Sequence, residues 1–166
     1  MANSLQTLSQ GLVLALRFTF DPELDNTNFS LLNFLGNLTS SDLKIYIQAI
    51  EENIEANTDI ITGEAKARQI NWTEEVPEDL QNKADTVLVC DCVYYEASLE
   101  PLLRTISSLV RPTSEVILAY ERRSDKIALY EEFFLKANNI FSVTKLGQQT
   151  LENRNQVFLY KMQIKL

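Results

Sequence analysis

The segment Ala84–Cys90 constrains the fold more than any other part of the chain, because nearly all of its side chains are apolar. Such a run is typical of a strand that is covered on both faces in a parallel sheet. Asp91 and Tyr94 follow it directly, just before a helix. Side chains at the carboxyl ends of parallel strands project into a shared crevice, so this edge is a candidate ligand site. A polar strand end followed by a surface tyrosine is the plainer interpretation, and the spacing alone leaves both open.

Helix and strand patterns alternate along the chain from residue 42 onward. Asp42 is well placed to cap the first helix, and Pro101 lies in the first turn of the second, where a missing N–H costs little. This order predicts an α/β fold with a doubly wound, mostly parallel sheet and a C-terminal antiparallel hairpin. The predicted helices are Leu43–Asn57, Ser98–Val110 and Asp125–Asn138, and the predicted strands are Ala65–Ile70, Ala84–Cys90, Glu115–Tyr120, Phe141–Leu146 and Gln156–Ile164.

Residues 1–41 do not fit this alternation. Leu12–Phe20 is a candidate strand and Phe29–Leu38 a candidate helix, with Asp21 and Pro22 as a turn between them. We therefore divide the chain into a divergent N-terminal segment, 1–41, and an α/β domain, 42–166.

Composition excludes several functions. The net charge of −8 argues against a nucleic-acid partner, since phosphate binding needs clustered Lys and Arg. The absence of histidine excludes the usual Ser-His-Asp and Cys-His hydrolases. Cys90 and Cys92 cannot form a structural zinc site by themselves, so we expect no metal and two reduced thiols, Cys92 being buried. The apolar run Leu12–Phe20 is too short to span a membrane, and a cytoplasmic or nuclear location is expected.

Several motifs occur in the order and register of one known family. They begin at Asp42-Leu43 and continue through Asn53–Asn57, Ile61–Gly63 and Asn71-Trp72 to the segment Asp91–Leu103 and the element Tyr120–Arg123. Over residues 42 to 165 the chain resembles the seven-strand, S-adenosylmethionine-dependent protein-lysine methyltransferases, which have a Rossmann-like fold. Within that family it most resembles the valosin-containing-protein lysine methyltransferases.

The resemblance implies S-adenosylmethionine as cofactor and a role for five residues. Asp91 and Tyr94 would be catalytic, orienting the acceptor amine. Asp42 would accept hydrogen bonds from the cofactor ribose, Trp72 would lie beside the adenine, and the backbone of Cys90 would approach the cofactor. Each of the last three also has a structural explanation, as a helix cap, a core or hinge residue and a buried strand residue respectively.

The resemblance also implies a protein partner, such as an AAA-type ATPase or a chaperone, and a monomeric enzyme that binds neither nucleic acid nor membrane. Tyr95 and Glu96 are expected to begin a helix rather than to act in chemistry. The cluster Glu121–Arg123 fits a solvated turn as well as it fits a site.

The sequence departs from the family at the cofactor loop. Relatives carry a Gly-x-Gly element after their first strand, where backbone N–H groups approach the cofactor. Here Gly11, Gly36, Gly63 and Gly147 each stand alone, and the segment before Asp42 is polar. We therefore expect a truncated or altered member that binds cofactor weakly or not at all.

Three functions remain open at this point. The first is methyl transfer to lysine side chains of a protein. The second is a non-catalytic interaction protein that keeps the fold without the cofactor pocket. The third keeps the chemistry but uses a small-molecule acceptor.

Overall fold

The computed structural model describes residues 12–16, 37–42, 44–59, 61, 64–150 and 156–166; for residues 12–16, 37–42, 44–46 and 49 it describes the backbone alone. All structural statements below refer to these residues. The strands are β1 Leu12–Leu16, β2 Asn37–Asp42, β3 Ala65–Gln69, β4 Ala84–Cys90, β5 Val110–Arg122, β6 Phe141–Thr150 and β7 Gln156–Ile164, and the helices are α1 Lys44–Ala56, α2 Leu99–Leu109 and α3 Ile127–Ile140.

The strands form one sheet with the order β3-β2-β1-β4-β5-β7-β6. The first five are mutually parallel, whereas β7 pairs antiparallel with both β5 and β6. From β1 the order continues through β2 and β3 to one edge of the sheet, and from β4 it continues through β5 toward the other edge. Because such crossovers are right-handed, α1 lies on one face of the sheet and α2 on the opposite face. The predicted doubly wound sheet with a C-terminal antiparallel hairpin is confirmed.

The core lies on both sides of β4. Val87 and Val89 are fully buried and Leu88 is nearly so, which places apolar side chains on both faces of this strand. Burying each such side chain contributes about 1.5–3 kcal/mol. The helices and the C-terminal hairpin complete the core with Leu99, Leu102, Ile106, Leu109, Phe133, Phe141 and Met162.

Several predicted boundaries need correction. Strand β5 begins at Val110 rather than Glu115, and its pairing with β4 shifts between Ala84 and Thr86. Pro112 lies in this irregular stretch, where the ladder does not need its missing N–H. Helix α3 continues to Ile140, past the predicted end at Asn138, and β6 follows without a loop.

The polar segment Asn37–Asp42 forms β2, although its composition did not predict a strand. Its backbone pairs with β1 on one side and with β3 on the other, and this pairing satisfies backbone groups whatever the side chains are. The helix predicted over Phe29–Leu38 is wrong for residues 37 and 38, which belong to β2. Its other residues lie outside the described part of the chain, as do residues 17–20 of the strand predicted from Leu12.

The segments on both sides of residue 42 contribute to the same sheet, with β1 and β2 coming from residues before α1. Among the described helices, none combines the length and the apolar character that crossing a bilayer requires.

Ser114 holds the irregular start of β5 to β4. Its buried hydroxyl donates to the carbonyl of Ala84 at 2.6 Å and accepts from the N–H of Arg111 at 2.9 Å. We expect Ser114→Ala to lower the free energy of unfolding by about 1–3 kcal/mol, because two backbone groups lose their partner. Urea denaturation measures this change, with the exposed Ser142→Ala as control. Equal midpoints for the two variants would contradict the assignment.

Candidate functional site

The carboxyl ends of the parallel strands lie along one edge of the sheet. Strand β2 ends at Asp42, opposite Gln69 of β3, and β4 ends at Cys90, opposite Ala119 of β5. The strand order reverses between β1 and β4, and open α/β sheets bind ligands outside the strand ends at such a reversal. Cys90 therefore lies at the position in the sheet where a ligand crevice is expected.

Asp91 leaves β4 in an unusual backbone conformation, with φ of 50°. This left-handed region is uncommon for residues other than glycine, although Asp and Asn adopt it more readily than most. The N–H of Asp91 donates to the carbonyl of Ala119 at 2.8 Å, which ties the turn to β5. Backbone strain of this kind concentrates at functional sites, so the conformation supports the sequence prediction for Asp91.

Arg123 is the ionic partner of Asp91. Its Nη2 atom lies 3.3 Å from Oδ2 of Asp91, with the arginine side chain half exposed and the aspartate one-third exposed. The sequence left open whether the cluster Glu121–Arg123 belongs to a turn or to a site. The structure places Arg123 in contact with Asp91, a predicted catalytic residue. The Tyr-Glu-x-Arg motif at Tyr120–Arg123 is the sequence feature that could have indicated this contact.

Tyr94 follows a firmly anchored segment. Cys92 and Val93 are buried in the core, and the Cys92 thiol donates to the carbonyl of Cys90 at 3.4 Å. The Tyr94 ring is partly buried and meets the Tyr95 ring edge to face, with centroids 4.8 Å apart. The predicted burial of Cys92 is confirmed, and both cysteines are free thiols.

The helix start after Tyr94 matches the prediction for Tyr95 and Glu96. A short 3-10 turn covers Glu96–Ser98 and leads directly into α2. The carbonyl of Tyr95 accepts from the N–H of Ser98 at 3.1 Å and from its hydroxyl at 2.7 Å. These two residues thus have a structural role at the helix start.

Cys90 is a partly buried thiol next to a carboxylate. Burial and, second, the negative charge of Asp91 raise the pKa of Cys90 to about 11. The thiol is therefore protonated at neutral pH and is a poor nucleophile, since the thiolate is the reactive form. This chemistry suits a residue that lines a site better than one that attacks a substrate.

Asp42, at the end of β2, lies on the other side of β1 from Cys90, whereas Trp72 follows β3 and contacts α2. Trp72 packs against the core, and its carbonyl accepts from Nη2 of Arg104 on α2 at 3.1 Å. The packing explanation for Trp72 is thus supported, and its predicted position beside the adenine stays a prediction. Asp42 is the last residue of β2, and its side chain lies outside the described part of the structure.

The structure therefore brings Asp42, Cys90 and Asp91 to one sheet edge, with Trp72 three residues beyond the end of β3 and Tyr94 three residues beyond Asp91. Strands β2 and β4 are separated by β1 alone, so their ends lie about 10 Å apart. Residues 17–36, between β1 and β2, lie outside the described part of the chain.

Two curated lysine methyltransferases are similar to this chain in sequence. The chain is 28% identical over 102 residues to the protein N-lysine methyltransferase METTL21A of Mus musculus, covering 58% of this chain and 47% of the relative. It is 27% identical over 97 residues to a calmodulin-lysine N-methyltransferase of Arabidopsis thaliana, covering 57% and 31%. The matches span less than half the length of these relatives.

A solved structure shows the same fold. The SAM-dependent methyltransferase of Methanosarcina mazei superposes with a TM-score of 0.65 at 8% identity, covering 95% of this chain and 94% of that one. A family model described as lysine methyltransferase matches residues 31–139. These findings agree with the cofactor predicted from the sequence, S-adenosylmethionine. The chain belongs to the lysine methyltransferase family.

Proposed function

We propose that this protein is an S-adenosylmethionine-dependent methyltransferase that acts on lysine side chains of a protein partner. The observation that carries the proposal is the position of Asp91. It is a partly exposed carboxylate in a left-handed turn, at the point where the strand order reverses, in a chain of the lysine methyltransferase family.

The cofactor side of the site consists of Asp42, Trp72 and Cys90. Their chemistry fits the group, because a carboxylate suits ribose hydroxyls, an indole stacks on adenine and a neutral thiol adds no competing nucleophile. The ends of β2 and β4 are about 10 Å apart, a distance that an extended ligand can bridge. When bound, S-adenosylmethionine supplies a methyl group on a sulfonium.

The acceptor side consists of Asp91 and Tyr94. A lysine amine with pKa near 10.4 must lose its proton before it can accept a methyl group, which costs about 4.6 kcal/mol at pH 7. Desolvation at the sheet edge lowers that cost. Asp91 then accepts a hydrogen bond from the neutral amine and directs its lone pair, while the Tyr94 ring and hydroxyl confine the alkyl chain and the nitrogen.

The identity of the partner follows from the resemblance alone. We propose that the acceptor is a protein of the AAA-type ATPase or chaperone class. We further propose that the enzyme is a monomer in the cytoplasm or nucleus. One of the two curated relatives is named for a different acceptor, calmodulin.

A non-catalytic interaction protein is the second candidate function. It is favoured by the missing Gly-x-Gly element, since a single isolated glycine, Gly36, precedes β2 closely. Such a protein would keep the acceptor edge with Asp91 and Tyr94 and would not transfer methyl groups.

Asp91→Asn tests the catalytic assignment. We expect at least a 100-fold fall in kcat for transfer of tritiated methyl groups to a purified AAA-type ATPase, because the amide holds the amine less well than a carboxylate. The matched control is Asp79→Asn, which should keep full activity. Asp79 is an exposed loop residue that pairs with Arg68 of β3. Full activity of Asp91→Asn would refute the role of this residue.

Calorimetric titration with S-adenosylmethionine separates the two candidate functions. Because the glycine loop is missing, we expect binding weaker than micromolar, and we expect Trp72→Ala to weaken it further through the loss of stacking. Micromolar binding to the unmodified chain would contradict the expected weakness and favour the methyltransferase, whereas no binding at millimolar cofactor would favour the interaction protein.

Arg123→Gln tests whether the acceptor amine competes with Arg123 for Asp91. A half-exposed ion pair is worth about 0–1 kcal/mol, so its removal should lower KM for the protein acceptor by up to about fivefold and leave kcat unchanged. Steady-state kinetics with Arg68→Gln as control measures this effect. A fall in kcat would instead mean that Arg123 holds Asp91 in its productive orientation.

A further inference from the structure

A groove of about 490 Å³ lies between α3 and the strands β5 and β7, on the sheet face that α3 covers. None of the residues predicted from the sequence as catalytic or cofactor-binding lines it. Its wall and floor are mainly aromatic, formed by Tyr120, Tyr130, Phe134, Phe158 and Tyr160. We call it the α3 groove.

The floor of the α3 groove is packed like a protein core. The Tyr120 ring, only 7% exposed, lies 4.3 Å from the Tyr130 ring and stacks on Phe158 at 5.7 Å and on Tyr160 at 6.0 Å. The rim, in contrast, faces solvent, since Leu135 on α3 is 71% exposed. An exposed apolar rim beside a rigid aromatic floor is a typical binding surface for a large apolar side chain.

Two positive charges lie over the strand side of the groove. The guanidinium carbon of Arg122 is 5.9 Å from the centre of the Phe158 ring, and Nζ of Lys145 is 4.5 Å from it. Neither cation has a carboxylate within 4.0 Å among the described residues. Glu131 lines the helix side. In a chain of net charge −8, the strand side is thus complementary to an acidic group.

The α3 groove adjoins the acceptor site through β5 and α3. Arg122 lines the groove, and the next residue, Arg123, pairs with Asp91. Tyr130 also connects the groove to the acceptor site. It lines the groove, and its hydroxyl donates to the carbonyl of Glu121 at 2.8 Å. Burial is the main cause that raises the pKa of Tyr130, and the nearby negative charge of Asp91 is the second. A polypeptide that presents a lysine to Asp91 therefore has the α3 groove next to it.

We propose that the α3 groove binds the segment of the protein substrate that flanks the acceptor lysine, taking a large apolar side chain on its aromatic floor and a carboxylate between Arg122 and Lys145. The proposal rests on the proposed function for the identity of the bound protein as a methyl acceptor. It adds a substrate class: lysines flanked by acidic and large apolar residues.

Fluorescence anisotropy of the full chain with three labelled nine-residue peptides tests this proposal. Each peptide has a central lysine; the first carries leucine and glutamate in both flanks, the second has lysine for glutamate, and the third has serine for leucine. We expect the first peptide to bind at least tenfold more tightly than the other two. Equal affinities, or no binding of the first peptide at millimolar protein, would overturn the proposal.

Two exposed substitutions locate the binding surface. Arg122→Glu should abolish the preference for the glutamate peptide, and Leu135→Glu should weaken its binding at least tenfold. Lys66→Glu and Leu146→Glu change exposed residues that do not line the groove, so they should leave binding unchanged. An unaltered preference in Arg122→Glu would overturn the proposal, as would equal losses in the controls.

The outcome is separable from that of the proposed function. Peptide binding needs neither cofactor nor methyl transfer, so a chain that fails to bind S-adenosylmethionine can still show the expected preference. Conversely, the protein could transfer methyl groups while Arg122→Glu and Leu135→Glu leave acceptor binding unchanged. That result would support the proposed function and overturn the α3 groove as the docking site.

Discussion

The burial of β4 on both faces is the constraint on which the rest of the structure depends. A slip of this strand by one residue would carry Asp85 or Asp91 further into the core, so its register against β1 and β5 is strongly specified. That register sets where Cys90 ends the strand and where the N–H of Asp91 meets the carbonyl of Ala119. Asp91 is thus positioned by its attachment to the core strands β4 and β5.

Elements with a strong side-chain pattern could be predicted from the sequence. The predicted bounds of β4 and β7 agree with the structure, because apolar content and alternation are local properties of the chain. Strand β2 could not be predicted, since its polar residues carry no such pattern and the strand forms through backbone pairing with two neighbours. The early start of β5 was missed for a similar reason: Arg111 and Pro112 read as a helix stop, whereas Ser114 joins them to the sheet.

The candidate site likewise combines residues that a local sequence pattern predicts with features that no local pattern predicts. Asp91 and Tyr94 were predicted because a strand end and a motif coincide in one short segment. The pairing of Asp91 with Arg123 joins residues 32 positions apart, and the left-handed turn at Asp91 is a backbone property that aspartate permits without requiring. No local sequence pattern predicts the α3 groove, because α3 and two antiparallel strands each supply part of it.

The outer strand of the hairpin has a consequence for the behaviour of the protein at high concentration. Strand β6 ends the sheet, and its pairing with β7 shifts between Lys145 and Gly147. This irregularity divides a ten-residue border into two shorter stretches, and the Lys145 ammonium stands at the break. Bulges and lysines on a border strand both discourage a neighbouring molecule from adding its own strand. The open side of the sheet thereby carries two features that oppose fibre-like growth.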